Sequence, residues 1–234
     1  MIGRSTHANL SPGYTTLGAT GLTTSRLGFG GYRTGMQEPE HRDALMNAIR
    51  SGCNLIDTST NYMDGDSERL IGSVVGVLIQ RGEISREELI VVSKIGYVQG
   101  DNLKRAQARE KAGSPYPEMV KYGDGIWHCL HPDFLADQLA LSLDRLGLET
   151  VDVLLLHNAE YFLSDAHHRG QTDLASVRDE FYRRLHTAFT YLEAQVAAGR
   201  IRYYGVSSNT CTSDPDDAEV TSLARMVNGR TDCS

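Results

Sequence analysis

Four polar residues in this chain stand where apolar runs end or just beyond: a carboxylate, a phenol, an amine and an imidazole. Asp57 closes Asn54-Leu55-Ile56-Asp57, Lys94 closes Leu89-Ile90-Val91-Val92-Ser93-Lys94, and His157 closes Val153-Leu154-Leu155-Leu156-His157. Tyr62 follows Asp57 by five residues. Gathered together, these groups could share protons. Singly, each has a plain structural explanation: an Asp that caps a turn, a Tyr that packs, a solvated Lys, a hydrogen-bonded His at the edge of a core. Their common position at run ends is what gives the set its weight.

Short apolar runs separated by helical stretches read as buried parallel strands. In a parallel α/β barrel, polar residues at the C-terminal ends of the strands converge on one mouth. The elements expected to position the four groups follow from the pattern. Tyr14 to Gly30 reads as a hairpin turning near Ala19 to Gly21, followed by a strand ending at Leu27 to Gly30. Pro39 suits a first helical turn, Ala44, Leu45, Ala48 and Ile49 form a helical stripe, and Gly52 closes that helix.

Strand and helix then alternate. Strand 54–57 precedes a helix from Ser67 to Gln80, and strand 89–94 precedes a polar insertion and a helix from Pro132 to Leu146. Strand 151–156 leads through a loop to a helix from Leu174 to Ala198, ended by Gly199. Strand 201–206 leads to a last helix from Asp214 to Val227, with Ser213 or Asp214 as cap and Pro215 in its first turn. This gives about five β/α units, where a closed barrel has eight. The segment from Ile95 to His131 reads as a structureless lid or mobile loop, with Tyr97, Tyr116 or Trp127 as lining, or as a solvated loop of no special role. Residues 1–13 read as a flexible start and 231–234 as a tail.

At 234 residues, one domain with a sizeable core is the default. A 40% hydrophobic and 23% charged composition describes an ordinary globular protein. The net charge of −7 argues against a nucleic-acid surface. Cys53, Cys129, Cys211 and Cys233 are far apart and form no CxxC pair, which fits reduced thiols better than disulfides or a zinc site. Met1 to Thr16 is polar, without the apolar stretch of a signal peptide, and no run approaches a membrane helix. These features point to a cytoplasmic protein with no membrane or nucleic-acid partner.

Five segments together resemble the successive signatures of the aldo/keto reductase family. They are Leu27-Gly28-Phe29-Gly30-Gly31, Ile56-Asp57-Thr58-Ser59-Thr60-Asn61-Tyr62, Val91-Val92-Ser93-Lys94, Leu154-Leu155-Leu156-His157 and Tyr204-Gly205-Val206-Ser207-Ser208. The resemblance runs from Tyr14 to Val227 with the motifs in family order. It implies a (β/α)8 barrel with an N-terminal hairpin closing its bottom, and reduction of aldehydes and ketones with NADPH. With five units present, the chain is expected to be a C-terminally truncated member.

By the same resemblance, Asp57, Tyr62, Lys94 and His157 occupy the catalytic tetrad. Tyr62 would donate its proton to the carbonyl oxygen, Asp57 would pair with Lys94, and His157 would orient the carbonyl or share in proton delivery. A free phenol titrates near 10, and an adjacent ammonium favours its ionised form, which is the work expected of Lys94. Ser207 matches the serine that holds the nicotinamide carboxamide. The family's next position is Asn, where this chain has Ser208 with Asn209 one step later, so both are cofactor-side candidates. Gly30, Gly31, Tyr32 and Asp57 complete the expected cofactor side, with NADP(H) as cofactor and a small carbonyl or alcohol as substrate.

Other signals are weaker. Gly28-Phe29-Gly30-Gly31 lacks the later glycine and acidic residue of a dinucleotide fingerprint, and no GxxxxGK[ST] is present. His128, His131, His167 and His168 lie in polar stretches and read as surface residues, so no metal is expected. Two other classes stay open: a non-catalytic binding or regulatory relative, and a metal-dependent barrel hydrolase built on Asp57, Lys94 and His157.

Overall fold

The computed structural model describes residues 13–228, so all but Gly13 of the flexible start expected for residues 1–13, and the tail at 231–234, lie outside the described residues. The chain begins with strands β1 (Tyr14–Thr16), β2 (Thr23–Ser25) and β3 (Phe29–Gly30). Helix α1 (Pro39–Arg50), β4 (Leu55–Asp57), α2 (Asp66–Gln80) and β5 (Ile90–Ile95) come next. The insertion carries β6 (Tyr97–Val98), α3 (Gly100–Lys111), β7 (Val120–Gly123) and β8 (Ile126–His128). Then follow α4 (Pro132–Leu146), β9 (Val151–His157), α5 (Tyr161–His168), α6 (Leu174–Ala197), β10 (Ile201–Ser207) and α7 (Leu223–Asn228). These elements fall into two compact units. Among the described residues, the first is 13–94, 140–154 and 199–203, and the second is 95–139, 155–198 and 204–228.

The five-stranded sheet has the order β10-β9-β5-β4-β3; β3, β4 and residues 90–94 of β5 belong to the first unit, as do the starts of β9 and β10. Pairs β3–β4 and β4–β5 are parallel, with Gly30 opposite Asp57 and Asp57 opposite Val92. Five strands therefore line up as the five expected β/α units, and the sheet does not close among the described residues. All six residues of β5 are buried, which is why it reads as an unbroken apolar run. Helix α1 buries Leu45, Met46 and Ile49, and α2 buries Leu70, Ile71, Val74, Val75 and Leu78, each a single helical stripe.

The hairpin β1–β2 pairs Tyr14 with Ser25 and Thr16 with Thr23. Gly21 supplies its left-handed turn residue at φ 71°. Asn54, just before β4, fastens the hairpin: its Oδ1 accepts from Ser25 N (2.6 Å) and its Nδ2 donates to Thr23 O (3.0 Å). Because Asn54 precedes β4 and Asp57 ends it, the hairpin lies at the end of β4 away from Asp57. Two buried carboxylates tie this unit together. Glu68 accepts from Ser93 Oγ (2.6 Å), Arg145 Nε (2.7 Å) and Ser142 Oγ. Asp152 is fully buried and takes Arg86 (2.6 Å), Arg202 (3.1 Å) and the backbone N–H of Val91 (2.9 Å).

The second unit departs most from the sequence reading. Residues 95–131 are not a structureless loop. They form helix α3 and an antiparallel sheet of order β6-β8-β7. Helix α3 buries only Asn102 and Ala106, so it shows no apolar stripe to be read. Helix α5 stands where a loop was expected, and eight residues are too few to establish a period. Helix α7 starts at Leu223 and not at Asp214. Asp214 Oδ1 accepts from Asp216 N and Asp217 Oδ1 from Glu219 N, both at 2.9 Å, and such local side-chain bonds compete with helix. Helix α6 matches its expectation, capped by Asp173 on Ser176 N (3.1 Å). No helix among the described residues is long and apolar enough to cross a membrane.

At Gly72, α2 runs close against the end of α4. A Cβ there would lie 2.6 Å from the carbonyl oxygens of both Arg145 and Leu146. Both atoms are backbone, so neither can rotate away. Gly72→Ala is expected to cost about 1–3 kcal/mol, read as a lower urea midpoint with unchanged slope.

Candidate active site

Lys94 is 6% exposed, and its ammonium nitrogen is the centre of the first unit's polar cluster. Nζ donates to Asp57 Oδ2 at 2.7 Å, to the Thr58 carbonyl at 2.9 Å and to the Tyr62 hydroxyl at 3.3 Å. An ammonium has three protons, and here it has three oxygen acceptors. That pairing permits a buried charge that would otherwise be expensive. Asp57, with a side chain 41% exposed, supplies the counter-charge from the mouth of the sheet.

Backbone geometry places Tyr62. Thr58 N bonds to Val92 O (2.8 Å) and Thr60 N to Lys94 O (3.1 Å), extending the ladder past the end of β4. Ser59 and Thr60 hydroxyls also reach Lys94 O, at 3.2 and 3.1 Å. Met63 and Asp64 then take left-handed backbone angles, φ 50° and 55°, before Gly65 at φ 83°. Such angles are strained in non-glycine residues and mark a tightly determined turn. The turn sets the Tyr62 ring over the Lys94 ammonium, 4.9 Å from nitrogen to centroid, with Tyr32 edge-on at 5.1 Å.

The expected cofactor-side residues of this unit fall together. Gly31 N donates to Asp57 O (2.8 Å), and Ser67 Oγ donates to Gly31 O (2.9 Å). A Cβ on Gly31 would come 2.5 Å from Ser67 Oγ and 3.1 Å from Asp57 O, so a side chain there would push the Ser67 hydroxyl off the Gly31 carbonyl. Gly30 has open space on its Cβ side, and Tyr32 is 61% exposed.

His157, Ser207, Ser208 and Asn209 belong to the second unit. The His157 ring lies edge-on to Tyr97 with centroids 4.8 Å apart. Ser207 O accepts from Asn158 N (2.7 Å), which joins the ends of β9 and β10. Ser208 Oγ accepts from Thr210 N (3.1 Å), so that hydroxyl is used within its own turn. Asn209 N donates to Glu160 Oε1 (2.7 Å). The other oxygen of Glu160 is buried and has no hydrogen-bond partner among the described residues. An unpartnered acceptor on the carboxylate that holds this turn suits an amide donor such as a nicotinamide carboxamide. The residues present therefore fit the group the sequence implies. Glu160 was not singled out in the sequence, where it is one acid after a strand like many others.

Several sequence expectations need correction here. His128 is not a surface residue but 1% exposed, because β8 turns it inward. Its Nε2 lies 2.7 Å from His157 O. A carbonyl only accepts, so Nε2 carries the proton. Burial pushes the ring's pKa down to about 4, against 6.5 for a free imidazole. Tyr116 is not a lining residue either. It is buried against Phe134, and its hydroxyl donates to Asp137 at 2.5 Å. Trp127 pairs with the Lys121 ammonium, leaving Tyr97 as the one of the three that meets His157. No group of three or more His, Cys, Asp or Glu among the described residues could hold a metal ion.

Comparison with known proteins shows the family. Residues 26–225 match the aldo/keto reductase family. The chain belongs to that family. It is 30% identical over 150 residues to the NADH-specific methylglyoxal reductase of Escherichia coli, covering 60% of this chain and 40% of that protein. It is 26% identical over 197 residues to a D-threo-aldose 1-dehydrogenase of a Pseudomonas species, covering 81% of this chain and 52% of that one. The chain thus spans about half or less of the length of these relatives. Among solved structures, the holo form of an aldo-keto reductase from Bacillus halodurans superposes with a TM-score of 0.56 at 23% identity, over 84% of this chain and 50% of that chain. That likeness gives the fold: a TIM-barrel-type parallel sheet with helices, here open.

The depressed pKa of His128 has a measurable consequence. Below about pH 6.5 the unfolded chain takes up a proton that the folded chain refuses until about pH 4. Stability is therefore lost as pH falls through that window, and the group contributes nothing above it. His128→Gln keeps a donor for the His157 carbonyl but cannot titrate. Urea unfolding from about pH 7 to pH 4 should show the natural chain losing on the order of 3 kcal/mol more than the variant.

Proposed function

We propose that this chain is the catalytic part of an NADP(H)-dependent reductase that converts an aldehyde or ketone to an alcohol. One observation carries the reading: a single buried ammonium, Lys94, bonds the Asp57 carboxylate and the Tyr62 hydroxyl at once. A nicotinamide cofactor, when bound, supplies hydride to the carbonyl carbon. The chain's part is then to meet the negative charge that develops on the carbonyl oxygen. Tyr62 donates its hydroxyl proton to that oxygen as general acid. Lys94 stabilises the phenolate left behind, at a contact of 3.3 Å. Asp57 balances the Lys94 charge and fixes its direction through the 2.7 Å bond.

His157 is the fourth proposed group, assigned to orient the carbonyl oxygen on the strength of its strand-end motif. Gly30, Gly31, Tyr32 and Asp57 are proposed to border the nicotinamide from one side. Ser207, Ser208 and Asn209 are proposed to serve the carboxamide, with the orphaned Glu160 oxygen supporting that assignment. The Escherichia coli relative is named for NADH, so both cofactors belong in the test. Cys53, Cys129 and Cys211 are free thiols, and the cytoplasm is the proposed setting.

The direct test is a fluorescence titration of NADPH, and in parallel NADH, with this chain. Saturable quenching or a shift of the emission supports the reading, and neither cofactor responding at high micromolar concentration contradicts it. Where turnover is measured, Tyr62→Phe should lower kcat by about a hundredfold or more while cofactor affinity holds. Normal turnover in that variant would remove Tyr62 from its role. Lys94→Met should abolish activity and change the shape of any residual pH–rate profile, and an unaltered profile would refute the electrostatic part of the mechanism.

A further inference from the structure

The inserted segment grips the end of β9 at three points, all within the second unit. The Tyr97 ring stands edge-on to the His157 ring, with planes at 85°. The Tyr97 hydroxyl accepts from Asn158 Nδ2 at 3.1 Å. His128 Nε2 donates to the His157 carbonyl at 2.7 Å. Gly96 allows this approach, since a Cβ there would come 2.7 Å from His128 Nε2 and 3.0 Å from His157 O.

The grip falls on a strained place. Asn158 holds φ 49°, an angle non-glycine residues rarely take, and bonds outward through both its backbone N–H and its side chain. Tyr161 backs the arrangement, 5.2 Å from Tyr97 and stacked on His128 at 5.6 Å. Burial and a hydrogen bond with Tyr161 hold the Tyr97 hydroxyl's pKa well above its ordinary value, with the Glu160 carboxylate adding to the effect. Tyr97 is thus a neutral, fixed group across the working pH range and serves as a wall.

We propose that Tyr97 is the positioning residue for His157: its ring fixes the plane of the imidazole, and its hydroxyl fixes Asn158 and with it the backbone that carries the imidazole. The inference deepens the assignment of His157 given above and rests on it for its meaning in catalysis. A residue that merely filled space would affect stability alone. A positioning residue also sets the environment in which His157 gains and loses its proton.

The test is the ring titration of His157, followed by NMR on the full chain labelled at histidine. Tyr97→Phe keeps the ring and removes the acceptor for Asn158, whereas Tyr97→Leu removes both. The His157 midpoint is expected to move by about half a pH unit or more in Tyr97→Leu, and by a smaller step in Tyr97→Phe. A His157 midpoint unmoved in Tyr97→Leu overturns the proposal. Should that variant not fold, Tyr97→Phe decides in the same way: a moved midpoint supports the proposal and an unmoved one overturns it. The measurement uses neither cofactor nor turnover, so its failure is distinguishable from failure of the reductase reading.

Discussion

A lysine ammonium buried at the end of a parallel strand must find acceptors for all its protons, and that requirement organises the first unit. Lys94 sits on β5, the most buried strand of the sheet, where a lone charge would be costly. Its three acceptors come from one stretch of chain, Asp57 to Tyr62, which leaves the neighbouring strand and doubles back over the ammonium. The same turn that satisfies the charge therefore delivers a phenol to it. Stability and chemistry share one set of bonds here, and the left-handed backbone at Met63 and Asp64 is the local cost of the turn.

Glu68 and Asp152 are both buried, yet each is met by donors or cations from neighbouring elements: Glu68 from β5 and α4, Asp152 from both strands beside it. Removing one partner from such a group is expected to be far worse than never having had the group. Lys94 differs from them because one of its acceptors, Asp57, keeps a side chain 41% exposed.

In the second unit the insertion after β5 has a mechanical role. Its strands β6 and β8 pair with each other, Tyr97 opposite His128, so two residues 31 positions apart arrive side by side at the end of β9. That pairing turns a polar stretch with no visible periodicity into a support for His157. Asn158, Ser207 and Glu160 carry the connection on to the turn after β10.

The sequence alone determined the strand–helix alternation, the five units and the identity of the groups at the strand ends, because burial on both faces forces long apolar runs that a polar residue visibly interrupts. Tyr62 was legible for the same reason: it follows such an interruption at short range. What the sequence could not show is everything built from contacts distant in the chain. The inward turn of His128, the orphaned oxygen of Glu160 and the seat of Tyr97 each depend on which strands pair, and polar residues carry no periodic sign of their burial. Helix α3 hides its buried side behind charged neighbours, and the stretch after Asp214 has the composition of a helix start but spends its carboxylates on local turns. Pairing and local hydrogen bonding, decided only in the folded state, settled those cases.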